Sequence, residues 1–195
     1  DPSRGFTKKQ PGGWHFNILP YIEQQALHDM GGGGDHQTAA QKADGAKRAQ
    51  TPVALFICPT RHKVMAFPYC HSVAYHNINQ PDPTIGRSDY AGCSGEGSCN
   101  TNFNGPYTLA QGDSWNESDW EYQSGGGTYL SATGVIFRRS MVQMAQIRHG
   151  ISCTYLIGER YINPDYYNTG TSCANDQGWD LGYDYDVNAM VPCTA

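Results

Sequence analysis

The sequence is poor in charged residues and has no concentration of basic ones. Asp, Glu, Lys and Arg make up 16% of its 195 residues, and the formal net charge at pH 7 is −5. Binding to nucleic acid depends largely on lysines and arginines that neutralise phosphates. Because no basic stripe is present, the chain is not expected to have nucleic acid as a partner.

Long apolar runs are also missing. No stretch approaches the ~20 consecutive apolar residues that a membrane-spanning helix needs, and the hydrophobic fraction is only 38%. Loop-forming residues are abundant instead, with 23 Gly and 11 Pro. This composition indicates a loop-rich protein with short strands and argues against a helical bundle. The length fits one globular domain over residues 1–195.

Cysteine, by contrast, is frequent, with seven residues. This count, together with low charge and abundant Tyr and Gly, is typical of exported proteins, in which disulfides persist. Cys93 and Cys99 enclose a short Gly/Ser loop that a local disulfide could close, and Cys58 with Cys70 is a weaker candidate pair. An odd count leaves at least one thiol unpaired or bonded to another molecule, and the sequence leaves the connectivity open.

Two helices are predicted near the start of the chain. In residues 17–34, Pro20 fits the first helical turn and Gly31 ends the helix. Its apolar stripe consists of Leu19, Ile22, Ala26, Leu27 and Met30. An alanine-rich helix is expected over residues 37–50, where Gly45 weakens it.

Strands are predicted for much of the remaining chain. The candidate segments are PVALFIC (52–58), RSDYAGC (87–93), TGVIFRRS (133–140) and CTYLIGERY (153–161). Helices followed by an antiparallel sheet define an α+β fold.

Residues 179–188, WDLGYDYDVN, form what we call the acidic segment. Apolar and aromatic residues occupy the odd positions, and Asp, Gly or Asn occupies the even ones. Strict alternation predicts a half-buried strand whose acidic side chains face solvent. Carboxylates in an open row would each remain ionised, so this segment is not expected to supply a catalytic acid.

Calcium is the alternative interpretation of these acidic residues, because it prefers several oxygen ligands in a flexible arrangement. The Asp-x-Asp-x-Asn spacing resembles the start of an EF-hand loop, but Ala189 and Ala195 stand where Gly and Glu are required. A calcium site of another kind would draw on Asp176, Asp180, Asp184 and Asp186.

A third candidate feature is the aromatic cluster formed by Trp115, Trp120 and Tyr122, which lies among Asp and Glu. Exposed aromatic rings with flanking acids can stack on sugars or anchor an interface. The other interpretation is that the rings fold back over the sheet, since large aromatics are seldom left exposed.

No set of residues points to catalysis. Cys58, His62, Cys70, His71 and His76 could ligate zinc, but they lack the paired spacing of a structural zinc site. The GCSGEG motif at residues 92–97 lacks the second glycine of a nucleophile elbow. The chain is therefore not expected to be an enzyme.

Six segments occur in a characteristic order along residues 12–188. They are GGWHFNILPYIEQQALHDMG, FICPTRH, RSDYAGCSG, TGVIFRRS, TYLIGERYINPDYY and NDQGWDLGYDYD. In this order the chain resembles a large planctomycete family of prepilin-like secreted proteins, which also carries an extracellular solute-binding label. The resemblance implies a pilin-type plan, with N-terminal helices packed on an antiparallel sheet and assembly at the cell surface. It implies no active site.

The chain departs from that family at three places. Lys8 and Lys9 replace the apolar stalk helix, residues 149–153 read HGISC in place of Asp-Gly-Thr-Ser-Asn, and the closing hairpin is missing after Val187. The chain is therefore expected to be the globular head alone. Membrane attachment would run only through the N-terminal helix that is absent here.

Resemblance and composition together predict a non-enzymatic structural subunit, the head of a pseudopilin-like or filament-forming protein at the cell surface or outside the cell. Its expected partners are like subunits, in a homo-oligomer or filament, held through the loops between residues 61 and 127 and not through open sheet edges. One alternative is an extracellular glycan- or solute-binding module, stabilised by calcium if the acidic residues bind it. A further alternative is a secreted hydrolase.

Overall fold

The computed structural model describes residues 1–33, 38–70, 75–95, 105–122, 133–172, 175–184 and 186–189. The α-helices in these residues are α1 (Trp14–Ile18), α2 (Gln25–Asp29), α3 (Ala39–Gln50), α4 (Leu109–Ser114) and α5 (Glu117–Tyr122). The strands are β1 (Phe67–Pro68), β2 (Thr84–Ile85), β3 (Tyr90–Cys93), β4 (Ile157–Glu159) and β5 (Asn188–Ala189). The combination of helices with small sheets confirms the α+β class.

The strands form two small sheets. β1 and β2 make an antiparallel pair, with Phe67 opposite Ile85. The second sheet has the order β4-β3-β5, in which β3 is antiparallel to β4 and parallel to β5. The predicted strands at residues 87–93 and 153–161 are thus confirmed in part, as β3 and β4.

The first predicted helix is broken into three pieces. A 3₁₀ turn at Leu19–Ile22 separates α1 from α2, and Glu23 adopts a left-handed conformation with φ 62°. The amide of Gln24 donates to the carbonyl of Leu19 at 2.9 Å, which closes the turn. Gly31, at φ 77°, follows the last piece, so the predicted end of the helix is confirmed.

The second predicted helix is confirmed as α3. Thr38 caps it by accepting the amide of Gln41 at 3.3 Å, and the Gln41 side chain accepts the amide of Thr38 at 3.2 Å. Gly45 lies where α3 passes Ile78, since a Cβ added to Gly45 would collide with the Ile78 side chain. The glycine therefore permits close packing at the cost of helix propensity.

Three strand predictions are wrong. Residues 52–58 form a 3₁₀ turn at Ala54–Phe56, and residues 133–140 form bends and turns with Arg139 at φ 59°. The described part of the acidic segment consists of turns and bends up to the short strand β5. Its burial does not alternate, since Asp186, Val187 and Asn188 are all buried.

The core lies between the N-terminal helices and the acidic segment. It consists of Phe16, Leu19, Leu27, Val53, Phe56 and Trp179, with Ile22 and Met30 packed against it. Trp179 is fully buried, and its Nε1 donates to the carbonyl of Thr51 at 2.9 Å. Much of the predicted apolar stripe therefore faces the core.

Candidate functional site

The acidic segment supplies a buried ion pair. Asp180 Oδ2 lies 2.9 Å from Arg48 Nε, and both side chains are buried. Arg48 also donates to the carbonyl of Met30 at 2.7 Å, and its guanidinium lies over the ring of Phe16. The prediction that Asp180 faces solvent is wrong, because a cation from α3 draws this carboxylate inward.

Asp186 belongs to a second buried polar network. Its Oδ1 lies 3.4 Å from Arg160 Nη1, and its Oδ2 accepts the amide of Gln177. Arg160 also donates to the carbonyl of Ser88 at 2.7 and 3.0 Å and contacts Asn175. Burial raises the pKa of Asp186 to about 7, and the Arg160 guanidinium only partly offsets this rise.

The four candidate calcium ligands are not brought together. Asp180 and Asp186 pair with arginines, and Asp184 accepts the amide of Asp186 at 3.2 Å. Within the described ranges, no three His, Cys, Asp or Glu side chains lie close enough to hold a metal ion. The acidic residues, Asp176 among them, thus form no ligand set there, and neither do the described members of the Cys/His group.

The thiols of the described cysteines are free. Cys58 and Cys93 are buried, and Cys70 and Cys153 are exposed. The predicted Cys58–Cys70 disulfide is wrong, since Cys58 Sγ contacts Thr60 and Glu159 and Cys70 Sγ donates to the carbonyl of Thr169. Cys99 lies outside the described residues, so the proposed partner of Cys93 has no described position.

Trp115 and Trp120 meet where α4 and α5 adjoin. Their ring centroids are 5.0 Å apart in an edge-to-face arrangement, and the guanidinium of Arg139 lies 4.6 Å from the centroid of Trp120. Thr108 caps α4 by accepting the amide of Gln111, and Asp119 accepts the amide of Asn116 beside α5. The two tryptophans are partly buried. The side chain of Tyr122, the third predicted member, lies outside the described part of the chain.

A cleft of about 1070 Å³ opens beside this tryptophan pair, and we call it the aromatic cleft. It runs between residues 1–18 on one side and residues 105–120 and 136–141 on the other. Members of the predicted aromatic cluster and of the candidate calcium ligands both line this cleft, since its walls include Trp115, Trp120, Asp180 and Asp184. Neither group could be placed against the other from the sequence.

Ion pairs tie the aromatic cleft to the N-terminal segment. Arg4 binds Asp113 through two hydrogen bonds of 2.8 and 3.0 Å. Glu117 lies 3.2 Å from Lys8 and 3.3 Å from Arg139. These ion pairs were not predicted from the sequence. The available signal was charge complementarity, since residues 8–9 and 138–139 are basic and residues 113–119 include several acidic side chains.

Three amide side chains that line the aromatic cleft have unsatisfied acceptors. The Oδ1 atoms of Asn17, Asn77 and Asn188 are buried and accept no hydrogen bond from the part of the chain that the structure describes. Asn188 is 3% exposed. Leaving a buried acceptor unpaired costs about 1–3 kcal/mol, so these oxygens suit a partner that donates hydrogen bonds.

One comparison with known proteins gives a match. Residues 1–186 match the profile of a family described as a protein of unknown function (DUF1559), which carries the label SBP_bac_10. This label is consistent with extracellular solute binding, and it indicates an exported protein. No curated protein and no solved structure matches the chain. Of the helices in the described residues, none is long and apolar enough to cross a membrane.

Proposed function

The chain belongs to the DUF1559 family, and we propose that it is a non-enzymatic head domain, pilin-like in plan, that assembles with copies of itself outside the cell. The observation that carries this proposal is the exposed apolar edge at β4. All three β4 residues are exposed, and among the described strands β4 is an outer strand of its sheet. Its neighbours are apolar and exposed as well, with Tyr155 at 73% and Tyr161 at 80%.

The backbone of β4 is arranged to accept another strand. Leu156 and Arg160 make their backbone hydrogen bonds toward β3, through Cys93 and Asp89. In an antiparallel ladder the backbone groups of the alternate residues, Ile157 and Glu159, then point away from β3. Outer strands are commonly protected by charge or proline. Here the only β4 charge, that of Glu159, is paired with Arg61 at 3.1 Å.

A second copy of the chain fits this edge. Antiparallel pairing of β4 with its counterpart would bury Leu156 and Ile157 and satisfy the outward backbone groups on both subunits. Further exposed apolar residues, Met144 and Ile151, extend the surface. We therefore propose the β4 edge as the contact, in place of the loops that were expected from the sequence.

Light scattering after size-exclusion chromatography and electron microscopy test the proposal. We expect Ile157→Lys to weaken self-association by about tenfold or more, because it places a charge in the pairing edge. Leu55→Lys is the matched control, since Leu55 is 65% exposed and lies in the 3₁₀ turn at Ala54–Phe56. A wild-type chain that stays monomeric at all concentrations would refute assembly. Equal effects of both variants would show that β4 is not the contact surface.

A second candidate function is binding of an extracellular glycan or solute. The aromatic cleft and the solute-binding label favour it. Saturable ligand binding by an isolated monomer would favour this function over assembly.

A further inference from the structure

We propose that the aromatic cleft binds a neutral, hydroxyl-rich oligosaccharide. Trp115 and Trp120 would supply the stacking surface, and the amide oxygens of Asn17, Asn77 and Asn188 would accept hydrogen bonds from sugar hydroxyls. The proposal rests on the second candidate function, and it specifies the ligand class and the residues that recognise it.

The size of the cleft selects an extended ligand. Its volume of about 1070 Å³ lies just above the roughly 300–1,000 Å³ that small-molecule pockets occupy. A single small metabolite would leave most of this space filled by water. Several linked sugar rings would contact both the N-terminal wall and the tryptophan wall.

The tryptophan pair gives the cleft an apolar surface with a polar surround. Aromatic rings present a negative face, which attracts the weakly positive C–H groups on one face of a sugar ring. The edge-to-face packing against Trp120 and the Arg139 contact hold the pair in one arrangement. A stacking surface that is already ordered loses little conformational entropy when a ligand binds.

The charges around the cleft favour a neutral ligand. Arg4 is paired with Asp113, Arg48 with Asp180, and Glu117 with both Lys8 and Arg139. An anionic ligand would have to compete with these carboxylates for the arginines and Lys8, and Lys9 is a lining cation without such a pair among the described residues. A hydroxyl group can donate to a carboxylate and accept from a guanidinium without separating the pair.

The unsatisfied amide oxygens also favour a ligand with hydroxyl groups. The Oδ1 atoms of Asn17, Asn77 and Asn188 are buried beside the cleft and have no donor among the described residues, so a ligand hydroxyl would reach them after a small rotation of the amide. A sugar hydroxyl supplies a donor, whereas the oxygens of a carboxylate or sulfate supply none. The three asparagines therefore suit the hydroxyl groups of a sugar, and the two tryptophans suit the faces of its rings.

Isothermal titration calorimetry with neutral tetrasaccharides, namely maltotetraose, cellotetraose and chitotetraose, tests the proposal, and tetragalacturonate serves as the acidic comparison. We expect at least one neutral tetrasaccharide to bind and to change tryptophan fluorescence. Trp115→Ala should weaken this binding by about tenfold or more, and Trp115→Phe should restore part of it. Tyr21→Ala is the matched control, because Tyr21 is 76% exposed and does not line the cleft.

Each result has a definite meaning once circular dichroism shows that the variants are folded. Binding of tetragalacturonate alone would overturn the neutral-saccharide proposal and leave ligand binding in place. Equal losses in Trp115→Ala and Tyr21→Ala would overturn the assignment of the tryptophans. Absence of binding to all four sugars would overturn the saccharide class, and a separate screen of non-sugar solutes would then decide whether the second candidate function survives.

Discussion

Arg48 and Asp180 form a buried ion pair, Nε to Oδ2 at 2.9 Å, that joins α3 to the acidic segment. The pair lies on the wall of the aromatic cleft and beside the core ring of Phe16. One contact thus links the N-terminal helices, the core and the candidate binding site.

Loss of this pair should destabilise the fold strongly. We expect Asp180→Asn to lower the free energy of unfolding by about 3–5 kcal/mol, because Arg48 would remain buried without a counterion. Urea unfolding measures the change. The exposed pair between Lys47 and Asp44 on the same helix is the control, and Asp44→Asn should cost less than about 1 kcal/mol. Similar costs for both variants would show that Arg48 finds another partner.

Asp186 should make stability depend on pH. Its pKa is about 7 in the folded state against an ordinary value of 3.8, so the folded chain holds a proton that the unfolded chain releases between these values. Its contribution to stability is therefore complete below about pH 4 and is lost as pH rises to about 7. The expected slope is at most about 1.4 kcal/mol per pH unit.

Comparison of the wild type with Asp186→Asn isolates this effect by urea unfolding across about pH 4–8. The difference between the two proteins is needed because His15 also makes stability depend on pH. Burial lowers the pKa of His15 well below 6.5, so its contribution to stability rises with pH, opposite to that of Asp186. The variant should lose the stability that the wild type gains toward low pH. Parallel curves for the two proteins would contradict the assignment.

Gly45 should be a helix position that does not tolerate alanine. Gly→Ala usually stabilises a helix interior by about 1 kcal/mol. Here the added Cβ would collide with the side chain of Ile78, so we expect Gly45→Ala to destabilise the chain in thermal unfolding. In the background of Ile78→Ala the same substitution should become neutral or stabilising. Stabilisation by Gly45→Ala in the wild-type background would show that Ile78 moves freely.

Removal of calcium should leave the described fold unchanged. Asp180 and Asp186 already have arginine partners, so a divalent cation would have to displace a buried guanidinium to bind them. We expect the melting temperature to be the same with a chelator and with excess calcium. A fall with the chelator that Asp184→Asn abolishes would restore the calcium interpretation.

Local patterns predicted the parts of the fold that depend on neighbouring residues. The α3 helix has its capping box and its alanine-rich face within one stretch of sequence, and Gly31 ends α2 through its own backbone conformation. Such signals need no distant partner. The β3 and β4 strands were likewise found from short runs of strand-forming residues.

The acidic segment shows why the rest could not be predicted. Its alternation matches a strand, yet Asp180 turns toward Arg48, 132 positions away, and Asp186 toward Arg160. Arg4 and Asp113 in the aromatic cleft are 109 positions apart. Local sequence patterns do not predict contacts between residues so far apart. Trp115 and Trp120 could therefore be identified as candidates, but the residues that form the cleft around them could not.

The parallel pairing of β3 with β5 sets an order of events during synthesis. Gly92 and Cys93 pair with Asn188 and Ala189, so the central strand lacks one neighbour until almost all of the described chain has left the ribosome. Pairings across so large a loop form slowly, because the loop must close first. Released chains that are truncated before residue 186 should therefore be cut readily by protease, and chains that include β5 should resist. A chain that closes its sheet this late stays extended for longer, and an extended chain is the form that can pass through an export channel.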